Sequence, residues 1–218
     1  MPRLRFRLLN AAAFVAVLAL AHLSYAADTM PAQAAGATVP APLPQPATPG
    51  AYQLDPNHAS ITFKISHLGF SRYTGRFDKM EGTLNFDANA PEKSALDVTI
   101  YPNSVDTNNV KLEEELRGDK FFDVIKWPRA TFQSTKIERT GPTTGKVTGD
   151  LTFMGATHPV TLDVTMIGSG VHPMTKKAAV GFSATGTIHR SDFGLTNLLP
   201  MVGDDVTLEI EAEFDQAG

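Results

Sequence analysis

The sequence predicts an all-β fold, an antiparallel sandwich or barrel of seven or eight short strands. Three observations predict it. Apolar and polar residues alternate with a period of two through most of residues 51–216. Turn-forming groups such as Asp87-Ala88-Asn89-Ala90-Pro91, Gly141-Pro142, Gly155 and Gly168-Ser169-Gly170 punctuate the alternating runs. Only one segment carries a helical period.

The first 26 residues, MPRLRFRLLNAAAFVAVLALAHLSYA, set three arginines before an apolar run too short to span a bilayer and end on small residues. This is the layout of a cleaved export signal, expected to be removed after Ala26. Residues 27–50 are rich in Pro and Ala and have no aromatic, so they read as an extended spacer that buries too little apolar surface to order. The folded domain is therefore expected over 51–216. No Cys is present, so neither a disulfide framework nor a lipid anchor on Cys is available. Removing the signal leaves 16 Lys and Arg against 23 Asp and Glu, a formal charge of −7. That balance disfavours nucleic acid as a partner and makes the chain as a whole no natural match for an anionic membrane surface.

Within the domain, Ile61, Phe63 and Ile65 open the alternation, followed by Leu84 and Phe86, then Leu96, Val98 and Ile100. Thr107 to Gly118 breaks it. There Leu112 and Leu116 lie four apart after capping residues and before a Gly, which predicts one short helix. Phe121, Phe122, Val124, Ile125 and Trp127 follow within seven residues, too apolar to lie bare on a surface. They read either as a plug for one end of a barrel or as the lid of an apolar cavity. Strand alternation then resumes through Val147, Leu151 and Phe153; Val160, Leu162, Val164 and Met166; Val180, Phe182 and Ile188; and Val206, Leu208, Ile210 and Phe214.

Few residues invite covalent chemistry. HRSDFG (189–194) looks like two kinase motifs side by side, but Ser191 stands where the catalytic Asp belongs and 24 residues remain after Gly194. If Ile188 points inward, Arg190 and Asp192 share its parity, so a carboxylate-capped Arg closing the strand is expected. No HxH, HExxH or GxSxG occurs, so no metal and no catalytic residue is assigned. His67 ends an apolar face and is a candidate for hydrogen bonding to backbone or to a ligand head group.

Five segments in order, DPNHASITFKISHLGFSRYTGRF (55–77), SVDTNN (104–109), LRGDKFFDVIKWPRATFQST (116–135), GDLTFMGATHPVTLDV (149–164) and HRSDFGL (189–195), resemble the YceI-like family from about Tyr52 to Phe214. The resemblance implies a lipocalin-like, extended antiparallel β-barrel of about eight strands in the periplasm. It would sequester or carry a polyisoprenoid or other long-chain amphiphile, such as a prenyl quinone, with no cofactor beyond that lipid. Where the family has His before the Leu-Arg of the helix, this chain has Glu115.

On that reading Phe63, Ile65, Phe86, Val98, Ile100, Phe153, Leu162, Phe182 and Ile188 line the tail. Phe70, Phe121, Phe122 and Trp127 govern access, and His67, Arg190 and Asp192 form a polar head-group site or structural cap. Ala184 and Gly186, small residues among large ones, leave room for a ligand. Transient membrane contact and a monomer or homodimer are compatible with it. Two other readings stay open: a filled barrel serving as a stress-related interaction module, and an enzyme acting on an isoprenoid or quinone with His67 or His189 as acid or base.

Overall fold

The computed structural model describes residues 47–218. The expected export signal and most of the spacer lie outside the described residues. The chain is held from Thr48 onward, because the fully buried Tyr52 donates its hydroxyl to the Thr48 carbonyl at 2.5 Å.

Ten strands follow in order: β1 (Gly50–His67), β2 (Ser71–Phe77), β3 (Met80–Phe86), β4 (Ala95–Ile100), β5 (Val105–Asp106), β6 (Ala130–Arg139), β7 (Thr144–Phe153), β8 (Ala156–Val171), β9 (Ala178–His189) and β10 (Val202–Gln216). One helix, α1 (Val110–Arg117), sits between β5 and β6. The sheet runs β10-β9-β8-β7-β6-β4-β3-β1, and β10 pairs antiparallel with β1 to close it into an eight-stranded barrel. On its other edge β1 serves two neighbours: its first residues pair with β3 and its last with β2, which extends the wall below the barrel. β5 adds two residues to β2.

Pleat direction explains the interior. Ile61 faces Ile210 and Phe77, and Leu54 faces Phe214, all pointing inward. On the outer face Lys64 bridges Glu209 at 2.6 Å and Lys146 bridges Asp163 at 2.6 Å. Irregularities reset the pleat where the period of two would otherwise turn the wrong residues inward. On β1 the four residues 55–58 stand opposite the single Glu213, and β6 and β8 carry shifts between Ser134 and Lys136 and between Met166 and Gly168.

α1 forms where the sequence predicts it. Asn109 caps it by accepting the Leu112 N–H at 3.2 Å, and Glu113 reaches back to the Thr107 N–H at 2.9 Å while pairing with Arg117 at 3.5 Å. Arg117 also donates to the Asn103 and Val105 carbonyls, which fixes the helix end beneath the barrel.

The β7–β8 connection is a two-residue turn, with Met154 at φ 50° and Gly155 at φ 78°. A Cβ on Gly155 would stand 2.4 Å from the Trp127 ring, so the indole lies directly on the turn. Gly155→Ala is expected to lose about 2 kcal/mol of stability from the left-handed backbone and the displaced ring together; a thermal melt lowered by several degrees checks it.

Candidate functional site

The barrel encloses a cavity of about 320 Å³. Its wall is almost wholly apolar, with Leu54, Ile61, Leu84 and Phe86 on one side and Phe132, Val147, Val160 and Leu162 on the other. The nine residue steps of β6 from Ala130 to Arg139, at about 3.3 Å each and a strand tilt near 40°, give a depth of about 23 Å.

One end is closed by rings. Phe63, Phe77, Phe122, Phe153 and Phe193 follow one another at centroid separations of 5.5, 5.9, 5.6 and 6.0 Å, and His158 meets Phe193 edge-on at 5.3 Å. Phe77 and Phe153 face the cavity; the other rings back them. The opposite end is a mouth between the β3–β4 connection (Ala88, Pro91, Ser94), the β6–β7 turn (Arg139 to Gly145) and β10 near Glu211. Polar groups collect there. Arg139 donates to the Gly141 and Pro142 carbonyls at 2.9 and 3.2 Å, Glu138 pairs with Lys136 at 2.7 Å, and Glu211 accepts from Ser183 at 2.8 Å.

Of the expected lining residues, Phe86, Val98, Ile100, Phe153, Leu162, Phe182 and Ile188 stand on the cavity wall. Phe63 and Ile65 share their parity but lie farther along β1, on the part that pairs with β2. Phe63 rests on Gly75, whose missing side chain lets the ring drop into the floor. The wall also uses Met80, Phe132, Val147, Leu151, Leu208 and Phe214, several of which alternation alone marks as inward. Ala184 lines the cavity as expected, whereas Leu162 already occupies the space over Gly186.

The expected access residues are placed differently. Phe122 is buried and Phe121 half-buried in the floor cluster beside Val105 and Leu195, so helix and aromatics form a plug, opposite to the opening. Trp127 packs on the β7–β8 turn. Phe70 is 90 % exposed at the β1–β2 turn, outside the barrel at its floor end.

The polar set also falls at the floor end. His67 is exposed at the end of β1. Arg190 is buried, but its partners are carbonyls and not Asp192: Nε donates to Gly203 at 2.8 Å, one terminal nitrogen to Leu195 at 2.5 Å and the other to Val202 at 3.0 Å. Strand β9 stops at His189 and the chain turns into a short 3-10 helix, which leaves Asp192 exposed. Asp204 supplies the nearby negative charge and itself accepts from the Ser191 N–H and hydroxyl at 2.8 and 2.7 Å, which holds its carboxyl below the usual range. Burial lowers the Arg190 pKa and Asp204 acts against that shift. HRSDFG is thus a clamp: Arg190 folds the 194–203 loop back so that Phe193 and Leu195 seal the floor. Among the described residues no three His, Asp or Glu side chains are grouped to hold a metal ion.

Arg190→Ala leaves three carbonyls without their charged donor and is expected to cost about 3 kcal/mol. Arg190→Lys, with one compact ammonium in place of the fork, is expected to recover only a minor part of it; chemical denaturation of both variants measures the difference.

Comparison with known proteins agrees with this architecture. The chain is 40 % identical to Protein YceI of Salmonella arizonae over 164 residues, which covers 74 % of this chain and 85 % of that protein. The Campylobacter jejuni YceI protein superposes with a TM-score of 0.63 at 35 % identity, covering 71 % of this chain and 91 % of the other. A polyisoprenoid binding domain from Saccharophagus degradans, implicated in plant cell wall breakdown, shares the fold at 15 % identity and a TM-score of 0.57 over 78 % of this chain and the whole of that domain. The YceI-like domain profile matches residues 52–214, and the chain belongs to the YceI-like family.

Proposed function

We propose that this protein is an exported, periplasmic carrier or buffer that holds the apolar tail of a long-chain isoprenoid, or a similar amphiphile such as a prenyl quinone, inside its barrel. The observation that carries the reading is the cavity: apolar from Phe153 to Phe86, closed by rings at one end and open among polar groups at the other. The tail lies along the barrel axis, and its head stays at the mouth near Glu138, Arg139, Thr143, Thr144 and Glu211. His67, Arg190 and Asp192 lie at the closed end, away from this mouth. The polyisoprenoid-binding description of the Saccharophagus degradans domain supports the ligand class, and the arginine-led apolar segment of residues 1–26 supports export.

Energetics favour exchange over storage. Each 100 Å² of tail surface removed from water contributes about 2.5 kcal/mol. A tail already in a bilayer has that gain in hand, so its transfer into the barrel is nearly balanced and reversible. Binding of this kind requires no bond to be made or broken.

Ala184 sits on the wall beside Leu162 and Val160 with no bulk of its own. Ala184→Phe is expected to fill the cavity from β9 and weaken binding of a dispersed fluorescent long-chain amphiphile at least tenfold while the far-UV spectrum is kept. Unchanged binding by a folded Ala184→Phe variant refutes an internal site.

A further inference from the structure

The β8–β9 hairpin reaches past the rim of the mouth. β7 pairs with β8 only as far as Thr165, with the Met166 N–H donating to the Thr143 carbonyl at 2.7 Å; beyond that point β8 continues to Val171 paired with β9 alone, while β9 stays paired with β10 as far as Ala179. The connection His172 to Lys177 is built, since His172 accepts at Nδ1 from the Met174 and Thr175 N–H groups at 3.2 and 3.1 Å and exchanges backbone hydrogen bonds with Lys176 and Lys177. On this frame Val171 and Met174 are 65 % and 82 % exposed, and Lys176 and Lys177 are exposed beside them. No Asp or Glu occurs from Val164 to Ser191, although the chain as a whole carries a formal charge of −4. The nearest acidic groups along the sheet are on the neighbouring strand β10, where Asp215 stands opposite Ala179, two residues from Lys177, and Glu213 opposite Gly181.

From this arrangement we infer that the β8–β9 hairpin is a docking element for an anionic lipid bilayer. It combines exposed apolar side chains with two adjacent lysines on a segment that carries no acidic residue of its own, the composition that binds an anionic membrane interface. Its place beside the mouth makes that contact useful. A tail passing through water between bilayer and barrel exposes all its apolar surface at the barrier, and a mouth pressed against the head groups shortens that passage. The overall negative charge turns the rest of the barrel away from the anionic surface and orients the tip toward it. The inference rests on the proposed cavity function but concerns a different surface, so the two are separable.

The test is co-sedimentation of the purified protein with vesicles of phosphatidylglycerol and phosphatidylcholine, and with vesicles of phosphatidylcholine alone, at low salt. Parent and variants share the same N-terminal segment, which therefore contributes equally. Lys176→Ala with Lys177→Ala is expected to lower partitioning to the anionic vesicles about 25-fold, fivefold for each lysine. Met174→Asp is expected to lower it as well, and added salt to weaken the parent toward the double variant. Binding of a dispersed amphiphile in solution is measured on the same variants and is expected to match the parent. Loss of vesicle binding with no amphiphile binding in any protein keeps the docking element and removes the cavity reading. Equal partitioning of parent and tip variants overturns the docking element, as does a parent that ignores anionic vesicles and leaves the tip to a protein partner.

Discussion

Pairing of β10 with β1 is the constraint on which the rest of this structure depends. Eight antiparallel strands left open would expose two unpaired edges and have no interior. Closure along Leu54–Phe214, Ile61–Ile210 and Ile65–Val206 turns one face of every strand inward. The apolar set that alternation places on that face then has nowhere to go but the lumen. Closure also creates two ends, and the chain treats them in opposite ways. Below, β2, β5, α1 and the 190–203 loop bring phenylalanines together as a floor. Above, the strand connections leave the lumen open.

The floor makes the barrel a cup. Phe122 and Phe193 arrive from segments far apart in the chain, and each is held by a polar device outside the ring stack. Arg117 ties the end of α1 to the Asn103 and Val105 carbonyls, and Arg190 ties the 194–203 loop to itself. Asn197 adds a hydrogen bond from its amide to the Lys120 carbonyl, joining the two segments directly. Arg190, buried, and Arg117, half-buried, thus position the apolar groups of the floor from outside the cavity wall, which is a structural use of charge.

Much of this was legible in the residues. Period-two alternation marks most barrel strands, and Asn109, Glu113 and Gly118 mark the helix. β6 was not legible as a strand, because the irregularity after Ser134 shifts its inward set from Phe132 to Ile137 and spoils the beat. The first part of β1 was hidden in the same way by residues 55–58, which break the run between Leu54 and Ile61. In the site, parity shows which side chains point inward but not how deep they lie. Phe63 and Ile65 therefore read like Phe86 and Val98, and only the switch of β1 from β3 to β2 separates floor from wall. Arg190 was legible as buried, while its partners were not, since backbone carbonyls carry no signature in sequence. Phe70 was misplaced because its exposure depends on a turn that projects from the barrel.

The central claim is that the cavity holds a lipid tail, and native mass spectrometry of the protein purified from a bacterial periplasm, followed by solvent extraction, tests it most directly. The account predicts a stoichiometric hydrophobic adduct that disappears on denaturation and is recovered as a long-chain amphiphile. A bare protein mass, unchanged after incubation with prenyl lipids, would contradict it.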